Sequence, residues 1–408
     1  MTTSLRDLAA SLRCGEVTAV EQVEELAERL SGLTGTEHGF SHLALEQAHE
    51  QAERADMVTT AQRGRLHGLL IPVKDLSNVR GMPTTFGSVH RTRRAEATDT
   101  VPQAFLDAGA IIPGKSSAAE LGLMIYTEPP GLAAPDNPLW PGHTPAGSSG
   151  GAAVLVARGI LPAAHASDGG GSIRVPAAAC GVVGFKPSAP RLAAQGFITR
   201  TLDDTAFLHR LSPEPGRRRI GVLTQPLFAG SPVDDVHLRA VDAAAATLRE
   251  AGHDVVEVHP YPSAEETFDA FTTIFTAKLV GLPGPAEDLV GWLRAHGRAI
   301  SSNRLAAADR HADHLGRHLA GYWGVDALLT PMTTTDPPAI GHFALLRPAE
   351  NFLEQTRWSP WGSLFNMTGH AAVSVPWPVP GRPPVGVHLG SLTLSDAALL
   401  SLARELHE

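Results

Sequence analysis

The chain has 408 residues, a net charge of −9 with neutral histidines, 43% hydrophobic and 18% charged residues. That balance supplies a sizeable core, excludes a disordered chain and argues against a general nucleic-acid binder. The length admits two or three domains or one large α/β domain. Two cysteines, Cys14 and Cys180, exclude a disulfide framework and fit a reducing cytoplasm. The apolar stretch Gly151–Ala157 stops at Arg158, well short of a membrane span, and Met1–Gly15 reads as no secretory signal.

In chain order, the first sixty residues predict helices. Ser4-x-x-Asp7 and Thr18-x-x-Glu21 have the form of capping boxes, each opening a stretch with apolar residues at helical spacing, and Ala44–Thr60 continues the pattern. Leu69–Val73 is a continuous apolar run, the mark of a buried strand, and it ends in Lys74-Asp75. Helix-like and strand-like segments then alternate at Val101–Ala108, Ala110–Pro113 and Ser116–Leu123. Ile220–Leu223, Asp234–Glu250 and Val255–Val258 predict a strand–helix–strand unit, with Gly252 as the helix stop; a unit of this length implies parallel pairing through a right-handed crossover. Further strands are predicted at Ala327–Leu329, Ala372–Val375 and Val385–Leu389, and a closing helix near Ser395–Leu406. Alternation from end to end means a layered α/β fold. Ser212–Arg219, with its basic run Arg217–Arg219, reads as a loop inside one domain.

The chemistry concentrates in Thr144–Ser188, which holds two glycine–serine clusters, Gly147–Gly151 and Gly169–Ser172. Glycines let successive main-chain N–H groups face one cavity, and a serine closing such a nest can attack a carbonyl while those groups receive the oxyanion. Flexible turns are the alternative for either cluster taken alone. A second alternative is the Gly147-Ser148-Ser149-Gly150-Gly151 match to G-x-S-x-G, with Ser149 as an elbow serine and His165, His253, His370 or His388 as its base. The turn-like Pro141–Ala146 before it argues against that elbow. With a lysine as base, the residue must be buried so that it can be neutral, and Lys74, directly after an apolar run, is the candidate.

The blocks HGLLIPVKDLSNVRGMPTTFGS, TPAGSSGGAA, SDGGGSIRVPAAACGVVGFKPS, DALLTPMTTTDPPAIG and PVGVHLGSLTLSDAALLSLAREL resemble the amidase signature family, over nearly the whole chain from Leu5 to His407. The resemblance implies a three-layer α/β/α sandwich around a large mixed sheet, forming a single amidase domain over 1–408. Its parts would be an N-terminal helical part (1–62), a catalytic core (63–211), a variable substrate side (212–345) and a C-terminal return to the sheet (346–408). It further implies hydrolysis of a carboxylic amide, or a related carbamate or ester, through a Ser–cis-Ser–Lys triad. Carried over by position, the nucleophile is Ser172, the bridging serine Ser148 and the base Lys74. Gly169, Gly170, Gly171 and Ser172 would form the oxyanion hole. Met124, Ile125, Tyr126, Ser149 and Trp358 fall in substrate-lining regions, as do Phe86 and the aromatic run Phe352–Phe365, which favours an apolar or aryl acyl group. No metal or cofactor is implied. The partner is a small-molecule amide, with neither nucleic acid nor membrane, and a homodimer follows family habit.

Departures from the family pattern are Gly169 in the nucleophile loop, the segment Thr127–Pro138, and short stretches after Lys186 and between His259 and Asp326. The last two would leave the pocket more open or completed by another subunit. A glutaminase-type subunit feeding ammonia to a partner and a non-catalytic binding protein on the same fold are the rival readings. His311, His314 and His318 share a helix face that suits solvent better than a metal. Asp168 and Arg174 are expected to hold the nucleophile loop, and Cys180, among Ala and Gly, to be packed.

Overall fold

The capping boxes work as read. In the computed structural model, which describes residues 4–190, 192–286 and 288–406, Ser4 caps α1 (Leu5–Cys14) by accepting from the Asp7 N–H, and Thr18 and Glu21 cap α2 (Ala19–Leu30) reciprocally. β1 (Phe40–Leu43) and α3 (Leu45–Asp56) follow. The apolar run at 69–73 differs from expectation. Its main chain bonds to Ile111 through Ile71 N–H and Leu69 C=O, but regular strand is confined to β2 (Val73–Lys74). Pro72 has no N–H for a ladder; its carbonyl instead accepts from His165 N–H. After the two-residue strands β3 (Pro83–Thr84) and β4 (Arg93–Arg94), α4 (Thr100–Asp107) leads to β5 (Gly114–Ser116). β1, β5 and β2 form a small sheet that carries Lys74 on one edge strand.

The signature region supplies α5 (Gly150–Ala157), β6 (Ala163–Asp168), α6 (Arg174–Ala179), β7 (Val183–Lys186), β8 (Ala194–Thr199) and α7 (Leu202–His209). Residues 212–218 loop into β9 (Arg219–Val222), α8 (Asp235–Glu250) and β10 (Asp254–Glu257), and β9 and β10 pair in parallel with Ile220 opposite Val255, as the pattern predicts. The variable stretch folds as α9 (Ala264–Ala277), α10 (Asp288–Arg298) and α11 (Ser302–Trp323). β11 (Ala327–Pro331), α12 (Pro348–Trp358), α13 (Leu364–Met367), β12 (Ala372–Val379), β13 (Arg382–Ser391) and α14 (Asp396–Arg404) complete the chain.

Eight strands join in the order β10-β9-β11-β13-β12-β7-β8-β6, parallel at one end and antiparallel from β11 onward. This is the mixed α/β sheet the resemblance implied. Period-two alternation assigns the faces. Phe185, Val373, Val387 and Leu329 point toward α7, α8 and α14, while Leu328 and Ala372 point toward α9, α11 and α13. Gly184 and Gly386 lie on the second face, where a Cβ would come within 2.6 Å of Ala177 Cβ and 3.0 Å of Ala178 Cα. Their bareness lets α6, the helix that follows Ser172, rest its backbone on the sheet. No helix among the described residues is long and apolar enough to cross a membrane.

Candidate active site

Lys74 lies at the end of β2, wholly buried, where the small sheet abuts β6. Its Nζ is 2.7 Å from Ser148 Oγ, 3.0 Å from Ser167 Oγ and 3.2 Å from the Ser167 carbonyl. All three partners are uncharged. Burial pulls the amine down from the usual 10.5 to about 7, with Asp168 opposing the shift. The Gly147–Ser148 peptide is cis. Ser148 is buried, its carbonyl accepts from Ala119 N–H, and a Cβ on Gly122 would lie 3.5 Å from its hydroxyl. Gly122 in turn lines the cleft that contains Ser172, Gly169 and Gly170.

The loop that carries Ser172, the expected nucleophile, is held from behind. Asp168, at the end of β6, accepts from the N–H groups of Gly171 (2.7 Å) and Ile173 (3.1 Å). Arg174 grips the same carboxylate with Nε (2.9 Å) and Nη2 (3.0 Å), both side chains being fully buried. Burial alone would raise the Asp168 carboxyl; the Arg174 charge and hydrogen bonds, with Asn366, hold it well below the usual carboxylate range. Asn366 accepts from Arg174 Nη2 and donates to Asp168 and to the Leu192 carbonyl. Arg174 Nη1 reaches His388 Nε2 at 3.0 Å. Arginine can only donate, so that nitrogen accepts and Nδ1–H is left for Thr330 Oγ.

Of the four expected oxyanion-hole residues, Gly171 donates its N–H to Asp168, at a main-chain φ of +123° that a side chain would oppose. The N–H groups of Gly169, Gly170 and Ser172 have no hydrogen-bond partner among the described residues.

The five expected substrate contacts separate. Ile125 lines the Ser172 cleft. Met124 and Tyr126 instead line a second cavity together with Glu120, the segment opening with a one-turn 3-10 helix at Glu120–Gly122. Ser149 is buried and donates to the Ser167 carbonyl, while Trp358 is core, its indole N–H bonded to Thr335 C=O. Phe86 stacks beneath the Arg93 guanidinium. Part of the cleft wall comes from the expected run Phe352–Phe365, and part from α9, which the sequence reading did not single out. Phe268, Phe271 and Phe275 of α9 and Phe352 of α12 stack along one side, with ring centroids 5.5–6.2 Å apart. Gln355, Thr356, Ser359 and Ser363 form the polar side. The spacing 268, 271, 275 was visible as a helical apolar stripe, a pattern shared with any core-facing helix.

The elbow reading finds no base. His165, His253, His370 and His388 bond to Lys74 N–H, Glu405, Ser391 C=O and Arg174, and none meets Ser149. His311 bonds to Thr267 and His314 to Arg317, and no group of three or more His, Cys, Asp or Glu among the described residues is placed to hold a metal. Cys180 is buried beside the Pro145 carbonyl, and burial pushes its thiol up, out of the reactive range.

Comparison with known proteins gives the family. The family model described as Amidase matches residues 21–206. The chain is 33% identical over 387 residues to "Putative amidase AmiB2" of Mycobacterium tuberculosis, covering 85% of this chain and 82% of the relative. It is 28% identical to a "Putative amidase" of Synechocystis over 99% of this chain and 88% of that one. Among solved structures it is similar to 6-aminohexanoate cyclic dimer hydrolase complexed with substrate (TM-score 0.86, 23% identity, 99% and 96% of the two chains). It also matches a structure reported as an amidase (TM-score 0.83, 26% identity, 99% of each chain). The chain therefore belongs to the amidase signature family, the hydrolases of amide bonds.

Proposed function

We propose that the protein hydrolyses a carboxylic amide with an uncharged, apolar or aryl acyl group, through an acyl-enzyme on Ser172. The observation that carries this is a buried amine, Lys74 Nζ, 2.7 Å from Ser148 Oγ and bonded only to uncharged groups. Ser172 Oγ attacks the amide carbon as its proton passes to Ser148 Oγ, whose own proton passes to neutral Lys74. The carbonyl oxygen, now an oxyanion, is received by the N–H groups of Gly169, Gly170 and Ser172; one such donor is typically worth about 3 kcal/mol. The proton on Lys74 returns through Ser148 to the leaving nitrogen as the C–N bond breaks. Water then attacks the ester carbonyl of the acyl-enzyme, gives its proton to the same relay, and Ser172 is regenerated as the acid leaves.

The substrate class follows from the lining. Four phenylalanines face neutral polar groups, and among the described residues the cleft lining includes no charged side chain. An acyl group carrying an ammonium and a carboxylate, as glutamine does, would be desolvated there without partners. That speaks against the glutaminase-type reading.

Intact mass after treatment with a fluorophosphonate serine probe tests the mechanism. One adduct is expected on the wild type, none on Ser172→Ala and a much slower one on Lys74→Ala. An adduct that survives Ser172→Ala would place the nucleophile elsewhere. Turnover of glutamine in preference to benzoyl amides would overturn the substrate class.

A further inference from the structure

β6 reads Ala-Ala-His-Ala-Ser-Asp, and the mechanism leaves its histidine unused. His165 is buried, its ring edge-on to Phe105 and Phe197. Nδ1 lies 3.3 Å from the main-chain nitrogen of Lys74, and Nε2 lies 2.9 Å from Gln195 Oε1 on β8. A main-chain N–H can only donate, so Nδ1 must carry the lone pair. Nε2 then bears the proton and donates to the Gln195 carbonyl oxygen, so the two contacts select one tautomer of a neutral ring.

Resting on the Ser–Lys reading above, we propose that His165 is a positioning residue for Lys74, locking its main chain so that Nζ stays aimed at Ser148. Lys74 is thereby held at both ends by one strand: His165 takes the backbone, and Ser167, two residues on, takes the amine. A lock of this kind is needed because β2 is two residues long and pairs only with β5. Burial draws the imidazole down to about 4, which keeps the acceptor lone pair available at neutral pH. Gln195 is exposed, and its part is to choose which nitrogen accepts.

The test uses three variants and one spectrum, with the wild type and Ser172→Ala measured alongside on a single amide substrate. His165→Leu keeps an apolar side chain between the two phenylalanines but removes the acceptor. Its kcat should fall on the order of tenfold to a hundredfold with KM within about twofold, since a small misplacement of a catalytic group costs rate more than binding. His165→Asn, whose Oδ1 can stand where Nδ1 stood, should recover kcat to within about threefold of the wild type, again a geometric argument. Gln195→Leu, at an exposed position, should lower kcat by a smaller factor. In 15N-histidine spectra of the wild type, His165 should show a protonated Nε2 and an unprotonated Nδ1 and should not titrate across neutrality. Wild-type kcat in His165→Leu, equal loss in His165→Asn and His165→Leu at unchanged melting temperature, or the opposite tautomer would each overturn the proposal. Should His165→Leu fail to fold, the spectrum and Gln195→Leu decide it. Activity retained by Ser172→Ala would instead sink the Ser–Lys reading itself.

Discussion

Two buried charges carry opposite costs at the residue scale. Lys74 is kept where its ammonium is disfavoured, and the proposed mechanism depends on that penalty. In the folded chain it loses its proton near pH 7, in the unfolded chain near 10.5. Between those values the unfolded chain binds the extra proton, so the stability contributed at this site rises with pH; below pH 7 the penalty is constant. Lys186 shifts the same way, also to about 7 through burial, so only a difference between variants isolates Lys74. Lys74→Met is expected to abolish turnover, to leave the melting temperature at pH 7 equal or higher, and to flatten the pH dependence of stability between pH 7 and 10. For the wild type, kcat/KM should climb with an apparent pKa of about 7. A profile flat from pH 5.5 to 8.5 would contradict a neutral-lysine base. Arg174 is the converse case, a buried charge paired with Asp168 and hydrogen-bonded through all three of its nitrogens. Removing it as Arg174→Met leaves Asp168 unpaired and should cost roughly 3–5 kcal/mol in chemical denaturation, with activity lost because Gly171 and Ile173 lose their anchor.

Selectivity belongs to the scale of elements. The loop bearing Ser172 is clamped to the sheet, whereas the facing wall comes from α9 and α12, outside the signature blocks. Phe271 lies over the loop, 3.1 Å from a Cβ built on Gly170. Phe271→Ala should lower kcat/KM for a benzoyl amide about tenfold while changing an acetyl amide by less than about threefold, as aromatic pairing contributes about 0.5–1.5 kcal/mol beyond buried area. Equal losses on both substrates would mean that the side chain supports the loop rather than reads the acyl group. The capped helices α1 and α2 and the β9–α8–β10 unit were legible because their signals lie within one turn or one amphipathic period. The failed strand at 69–73 shows the limit of that reasoning. Continuous apolarity reports burial, and a proline within the run decides whether burial takes ladder form.

The whole molecule is organised by the closeness of α6 to the centre of the sheet. Gly386 on β13 faces Ala178, and there is no room for another carbon. Gly386→Ala should cost on the order of 1–3 kcal/mol by overpacking, and because α6 continues directly from the nucleophile loop, kcat should fall with it. Adding Ala178→Gly in the same chain should return part of both losses, which urea unfolding and steady-state rates would show. An additive double variant would mean that the two positions do not touch.

From the sequence alone came the layered α/β class, the two glycine–serine clusters and a candidate lysine after an apolar run, because these depend on residue type and short spacing; the expectation that this lysine serves as base came with the family resemblance. Long-range packing decided the rest. It turned Tyr126 away from the Ser172 cleft, enlisted Asn366, Ser167 and His165 from distant segments, and built the aromatic wall from α9. Such choices depend on which side chains meet across more than ninety residues of chain, as Lys74 and His165 do. Local pattern carries no record of those meetings; the buried donors and acceptors that must be paired when the sheet closes are what select them.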